Sequence, residues 1–223
     1  MPGLFITFEG IEGSGKTTQM RLLVERLRAA GHAVTENQEP GATRIGRLIR
    51  GILLNPEHQE ITPVTEMLLM FASRAQAAAE IIHPALKRGE IVVSDRFTDS
   101  TLAYQGAARD LGFEKVLALH RLALGELNPH VTIYIEIDPA QSLARAKGRN
   151  RATGEAEARI DQQPLAFHQR VAEGYRRIAS LEPSRFRTID GSGTPAEVAE
   201  RVWAEVAPLI AQYTRELGSH DAF

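Results

Sequence analysis

The sequence predicts an α/β domain, a five-stranded parallel sheet with helices on both faces. Three observations carry the prediction. Five short apolar segments recur along the 223 residues: Leu4–Phe8, Ala33–Asn37, Ile91–Ser94, Val131–Ile137 and Arg185–Ile189. Helical patterns separate each segment from the next, and strands that alternate with helices pair in parallel. The first, third and fourth segments are nearly continuous apolar runs, as strands covered on both faces must be.

The helices follow from local chemistry. Lys16–Ala30 is helical in pattern and meets Gly31, which can take the left-handed conformation that ends a helix. Thr62-Pro63 opens another with an N-cap and a proline in the first turn, and Asp138-Pro139 and Thr194-Pro195 repeat the signal. The last helix is predicted from Pro195 to Leu217, stopping at Gly218, with a kink at Pro208. No repeat and no Pro/Gly/Ser linker divides the chain, so residues 1–223 read as a single domain, long enough to enclose a sizeable core.

Composition narrows the function. A formal net charge of -2 argues against a nucleic-acid binder driven by overall positive charge. The absence of cysteine excludes disulfides, thiolate metal sites and a cysteine nucleophile. Met1 to Gly10 lacks a basic n-region, and no stretch approaches the roughly 20 apolar residues of a membrane span. The chain reads as soluble and cytoplasmic, with neither nucleic acid nor membrane as partner. The histidines show no metal-ligand pairing.

In a parallel sheet ligands sit beyond the carboxyl ends of the strands, and the polar motifs fall there. Gly10-Ile11-Glu12-Gly13-Ser14-Gly15-Lys16-Thr17 matches G-x-x-x-x-G-K-[ST] between a strand and a helix, the context this phosphate-binding loop requires. Its amide N–H groups and the helix N-terminus would face phosphate. Lys16 would reach the β- and γ-phosphates of ATP, and the Thr17 hydroxyl would bind Mg²⁺. The fold expected is therefore the three-layer P-loop NTPase fold. A guanine-reading N-K-x-D element is missing, which disfavours a GTPase.

Ile91-Val92-Val93-Ser94 runs into Asp95-Arg96-Phe97. Arg96 suits bidentate contact with an acceptor phosphate, while Asp95 could hold Mg²⁺ through water or position the attacking oxygen. Glu39-Pro40-Gly41-Ala42-Thr43 leads into Arg44, Arg47 and Arg50, of which Arg44 or Arg47 could touch the same phosphate. Residues 145 to 160 carry Arg145, Lys147, Arg149, Arg151 and Arg159 among alanines and glycines. This stretch can bury little and has the profile of a mobile lid closing over ATP. Arg149 and Arg151, with Arg159 next, are the candidates for stabilising transferring charge, and Arg145 could stack on adenine.

The blocks Phe8 to Thr18, Glu39-Pro40-Gly41, Phe71-Ala72-Ser73-Arg74, Asp95-Arg96-Phe97 and Ser100-Thr101-Leu102-Ala103-Tyr104-Gln105-Gly106 occur in the order seen in thymidylate kinases. The chain resembles that family, in its bacterial type, over essentially its whole length. The resemblance implies Mg²⁺-dependent phosphorylation of dTMP to dTDP by ATP, a step of dTTP synthesis, and a homodimer. It implies that Gly10 to Thr18 hold ATP and that Arg96 binds the dTMP phosphate. Glu12 would sit near the sugar 3′-hydroxyl or the transferring group, and Arg74 would hydrogen-bond thymine O4. Gln105, with Ser100 nearby, would read the base edge, Tyr104 would crowd the 2′ position, and Phe71 would stack on thymine. Two departures stand out. Met70 occupies the place where many relatives carry the stacking aromatic, and Gln38 replaces an arginine common before Glu-Pro-Gly. The rival readings are a P-loop kinase of another nucleotide or a deoxynucleoside, and a nucleotide-binding scaffold without turnover.

Overall fold

The structure, a computed structural model, describes residues 3–153 and 159–220, with only the backbone described at 149–153 and 217–220. Its strands are β1 (Phe5–Glu9), β2 (Val34–Gln38), β3 (Ile91–Asp95), β4 (Val131–Glu136) and β5 (Phe186–Asp190). All pair in parallel, in the order β2-β3-β1-β4-β5. Each lies within a residue or two of its predicted place.

The helices are α1 (Lys16–Ala29), α2 (Arg44–Leu54), α3 (Pro63–Ala77), α4 (His83–Lys87), α5 (Thr98–Thr101), α6 (Phe113–Leu124), α7 (Pro139–Thr153), α8 (Leu165–Leu181) and α9 (Pro195–His220). The cap at Thr62 forms as expected, its side chain accepting from Thr65 N–H. Thr43 does the same for α2 through Gly46 N–H, a cap typically worth about 1 kcal/mol. The last helix passes through Pro208 and continues beyond the predicted stop at Gly218. Two π-helical segments, Ala78–Ile82 and Leu102–Ala108, were not foreseen. Such segments shift side chains relative to an α-helix and are common near functional sites.

The sheet divides the core in two. Alternate residues of β1 point to opposite faces. Ile6 and Phe8 join Leu23, Leu27, Val93, Ile133 and Val202 beneath α1 and α9. Phe5 joins Phe71, Val92, Phe97, Tyr134 and Tyr175 on the other side. On that second side β1 continues with polar residues. Thr7 hydrogen-bonds Thr132 at 2.9 Å, and Glu9 carries a fully buried carboxylate. The same pleat that fills the core thus delivers an acid to the carboxyl end of the central strand. Among the described residues, no helix is long and apolar enough to cross a membrane.

Candidate active site

The phosphate loop leaves β1 at Gly10 and enters α1 at Lys16. Gly13 has φ +78°, and a Cβ there would lie 2.1 Å from the Ser142 carbonyl of α7. Glycine is required both by the left-handed backbone and by this close approach. Ser142 Oγ also donates to the Glu12 carbonyl at 2.6 Å. The helix that leads into the predicted lid is therefore keyed directly onto the loop. Ser14 is buried, with a hydroxyl lacking a protein partner among the described residues.

Lys16 and Thr17 converge on the end of β3. Thr17 Oγ1 donates to Asp95 Oδ2 at 2.8 Å, and Lys16 Nζ lies 3.9 Å from Asp95 Oδ1. A hydroxyl and a carboxylate side by side are the hard oxygen donors that Mg²⁺ prefers. Among the described residues, no group of three or more acidic, histidine or cysteine residues is arranged to hold a metal ion. The pair thus suits an ion that arrives with substrate phosphates rather than one held by protein alone.

Arg96 follows Asp95 in a left-handed backbone, φ +74°. This is uncommon for a residue with a side chain and costs of order 1–3 kcal/mol. Hydrogen bonds hold it on both sides: its N–H donates to Phe8 O at 2.9 Å, and Ser94 Oγ donates to its carbonyl at 2.7 Å. The turn aims the guanidinium back across the strand ends. Its Nη1 donates to Ser100 Oγ (2.9 Å) and Tyr175 Oη (3.3 Å), and Nη2 to Tyr104 Oη (3.4 Å). Glu12 of the phosphate loop stands 3.6 Å from Nη2. Burial opposes the Arg96 charge, but the surrounding Tyr104, Tyr175, Glu12 and Asp95 oxygens more than offset it and keep its pKa raised. Burial, against the pull of Arg96, pushes the Tyr104 phenol up to about 12.

Arg74 comes from α3 and is buried. Nε donates to Glu39 Oε2 at 2.5 Å, Nη1 to Thr101 Oγ1 at 3.0 Å and Nη2 to the Phe97 carbonyl at 2.9 Å. Three of its five N–H groups therefore tie the loop after β2 to the loop after β3. Only the remaining two could serve a base. Phe71 is a core residue at 2% exposure, with the Arg74 guanidinium 5.0 Å from its ring centre. Stacking on thymine would have to use ring surface that Arg74 leaves clear.

Gln105 and Tyr104 sit on the π-helical segment Leu102–Ala108. Gln105 Nε2 donates to Glu66 Oε1 at 2.7 Å. Glu66 also takes Arg109 (3.1 Å) and Arg159 (2.5 Å). Burial alone would raise the Glu66 pKa, but these donors bring it below the usual carboxylate range. Ser100 Oγ donates to Glu9 Oε2 at 2.5 Å and accepts from Arg96 Nη1 at 2.9 Å. One expectation changes here. Arg159 is not available to a phosphate. It is 2% exposed, and besides Glu66 it holds the Leu53 and Leu54 carbonyls at the end of α2.

Arg145 is exposed on α7. It lines a cleft of about 240 Å³ with Ser14, Gly15, Thr18, Gln19, Gly191 and Gly193, between the phosphate loop and the turn after β5. Residues 145–153, expected to open the lid, continue α7. The side chains of Arg149 and Arg151 lie outside the described residues. Arg44 and Arg47 are exposed, and Arg50 donates to the Pro40 carbonyl at 2.8 Å. Glu9, Glu66, Arg109 and Tyr175 were given no role from the sequence. The one available signal was an acid closing the apolar run Phe-Ile-Thr-Phe-Glu.

Comparison with known proteins agrees with this geometry. The family model described as thymidylate kinase matches residues 8–202. A thymidylate kinase of Citrifermentans bemidjiense is 50% identical over 217 residues, 97% of this chain and 95% of that protein. Thymidylate kinases of Pelobacter propionicus (49% over 205 residues, 92% and 94%) and of a Synechococcus strain (47% over 207 residues, 93% and 96%) are similarly close. With a phosphate loop on β1, an arginine turned back at the end of β3 and matches of this extent, the chain belongs to the thymidylate kinase family.

Proposed function

We propose that the chain transfers the γ-phosphoryl group of ATP to dTMP, giving ADP and dTDP. The observation that carries this reading is the placement of Arg96. Its guanidinium lies beside the phosphate loop, at the carboxyl end of the strand adjacent to β1, where a monophosphate would meet the triphosphate end-on. The acceptor oxygen of dTMP is already anionic, so the reaction needs no strong general base. Catalysis rests on alignment and charge neutralisation.

In this reading Gly10 to Thr18 cradle ATP, Lys16 neutralises its terminal phosphates, and Arg145 flanks the adenine with the turn at Gly191. Thr17 and Asp95 would hold Mg²⁺, which supplies neutralisation of the bridging phosphate charge when bound. Arg96 grips the acceptor phosphate, and Glu12 borders the transferring group. Gln105, fixed by Glu66, reads the base, and Tyr104 limits room at the sugar. Phe71 and the spare donors of Arg74 complete the base side. Arg149 and Arg151 are assigned to the transferring phosphoryl. The proposal includes a cytoplasmic location, in keeping with the absence, among the described residues, of a helix long and apolar enough to cross a membrane.

A homodimer is part of the proposal. Ile45, Leu48 and Ile52 on α2 and Val64 and Leu68 on α3 are all exposed. They recur at helical spacing on two helices packed against each other, a surface suited to a second copy.

The activity is tested by coupled ADP release with dTMP, dUMP, dCMP, dGMP and thymidine. A clear preference for dTMP is expected, and preference for any other acceptor rejects the reading. Replacing Arg96 by alanine removes charge-assisted bonds worth about 1.5–3 kcal/mol. It should lower kcat/KM for dTMP about 10- to 100-fold with the KM for ATP near normal. Unchanged dTMP kinetics would remove Arg96 from the phosphate site.

A further inference from the structure

We propose that Glu9, which closes the central strand and is fully buried, is the positioning residue that orients Arg96 for the acceptor phosphate, acting through the hydroxyls of Ser100 and Tyr175. The inference rests on the reading that Arg96 grips that phosphate. It adds a residue and a mechanism to the reading.

The argument is one of hydrogen-bond polarity. Glu9 Oε1 accepts from two main-chain donors, Phe97 N–H at 2.8 Å and Ser100 N–H at 3.3 Å. Main-chain N–H groups cannot reverse role, so they fix which oxygen faces which way. Oε2 is left facing Ser100 Oγ at 2.5 Å and Tyr175 Oη at 2.9 Å. A hydroxyl has a single proton. When both hydroxyls give theirs to the ionised Oε2, only lone pairs remain for their other neighbours. Those are each other, at 3.0 Å, and Arg96 Nη1, at 2.9 Å from Ser100 Oγ and 3.3 Å from Tyr175 Oη; of these only Arg96 brings protons.

The carboxylate thus converts two ambivalent hydroxyls into fixed acceptors for the guanidinium. It is placed to do so by the pleat of β1, which turns Glu9 to the same face as Phe5. Tyr175 is held in turn by stacking on Tyr134, ring centres 4.6 Å apart, and is fully buried. With Nη1 held from behind, the left-handed backbone at Arg96 and the Glu12 contact on Nη2 leave the guanidinium pointing at the mouth of the phosphate loop. The strained turn is tied to the same acid, because the residue after Arg96 donates its main-chain N–H to Oε1 at 2.8 Å.

The test is Glu9→Gln, which keeps the shape and reverses the polarity. Its amide oxygen must take the two main-chain N–H groups, so its NH₂ replaces Oε2. That group donates to the hydroxyls; one freed proton can pass between Ser100 Oγ and Tyr175 Oη, 3.0 Å apart, and the other turns toward Arg96, donor against donor. Binding of dTMP and of thymidine would be measured by calorimetry for wild type, Glu9→Gln, Arg96→Ala and the double variant, with the KM for ATP alongside.

Glu9→Gln should weaken dTMP by about 10- to 100-fold, the scale of charge-assisted bonds. Thymidine, which lacks the phosphate, should bind as in wild type, and the double variant should be no weaker than Arg96→Ala. Three results would overturn the proposal: unchanged dTMP binding, an equal loss for thymidine, which would mark a general packing role, or additive losses in the double variant. Normal dTMP binding by Arg96→Ala would remove the phosphate reading itself, and Glu9's role with it. Tyr175→Phe covers the case in which Glu9→Gln does not fold. It deletes one of the two relays and should cost dTMP, but not thymidine, about 3- to 10-fold. Wild-type dTMP affinity in that variant would refute the relay.

Discussion

Replacing Glu66 by alanine should be among the most destabilising single changes in this protein, and the structure gives the scale. The Glu66 and Arg159 side chains are 1% and 2% exposed and lie 2.5 Å apart. Arg109, at 3.1 Å from the same carboxylate, is 18% exposed. Deleting the acid strands a buried guanidinium without a counter-charge, a change that costs about 3–5 kcal/mol. For a chain of this size 1 kcal/mol moves Tm by about 2–4 °C, so Glu66→Ala should melt roughly 6–20 °C below wild type. Differential scanning calorimetry checks this, with Glu66→Ala/Arg159→Met as the companion. The double variant removes both charges and should recover much of the loss, since an apolar replacement of a buried pair is often close to neutral. A Tm drop under about 2 °C for Glu66→Ala, or no recovery in the double variant, would refute the reasoning. Because Glu66 also holds Gln105, the KM for dTMP should rise in both variants whatever happens to Tm.

Other perturbations follow from the same geometry. Glu9 is pushed up to about 7 by burial and by Asp99, against Arg96 and the donors Ser100 and Phe97 N–H; Tyr175 also faces it, and Arg185 pairs with Asp99. A pKa raised on folding means stability fully present below the unfolded value of 4.5 and lost as pH rises through about 7. Urea denaturation should therefore show wild type losing about 3 kcal/mol more than Glu9→Gln between pH 4.5 and pH 8; parallel pH profiles would contradict this. Gly13→Ala forces a Cβ to 2.1 Å from the Ser142 carbonyl at φ +78°, and strain of about 1–3 kcal/mol should cut kcat/KM for ATP about tenfold or more. Wild-type ATP kinetics in that variant would mean that loop and α7 separate freely. Leu48→Glu places a charge on the apolar face of α2, where Leu48 is 61% exposed; sedimentation should shift from dimer toward monomer, and an unchanged profile would locate the second copy elsewhere.

What the sequence disclosed and what it hid divide along a physical line. Strands β1, β3 and β4 were legible because a strand buried on both faces has no choice but a continuous apolar run. The phosphate loop was legible because glycines, lysine and hydroxyl act over a few consecutive residues. The arginines were legible as charges but not as partners. Arg74 and Arg159 read as ligand groups, yet they turn inward to Glu39 and Glu66, which lie 35 and 93 positions away. Nothing local distinguishes a guanidinium that awaits a phosphate from one already satisfied by a distant carboxylate. The π-helical turn that carries Tyr104 and Gln105 was hidden for a related reason. It widens the helix by about one residue per turn, and nothing in the side-chain pattern of Leu102–Ala108 announces that.

Glu9 shows where reading could have gone further. An acid at the last position of an apolar strand beside a phosphate loop is in the wrong place twice over, buried and repelled by the anion it adjoins. A charge that costly stays only where something fixed needs an acceptor. Here it serves two main-chain N–H groups and two hydroxyls, drawn from residues 97, 100 and 175. Their common neighbour is Arg96, the cation that faces the opposite way. The misplaced acid and the strained arginine explain each other. The acid takes the protons that would otherwise point at the guanidinium, and the guanidinium supplies the positive charge that makes an anion tolerable at that depth. Removing either should therefore alter the titration of the other, which makes the pH profile of Arg96→Ala informative. With its favourable partner gone, Glu9 should titrate higher still, and the acid-side gain in stability should extend to higher pH than in wild type.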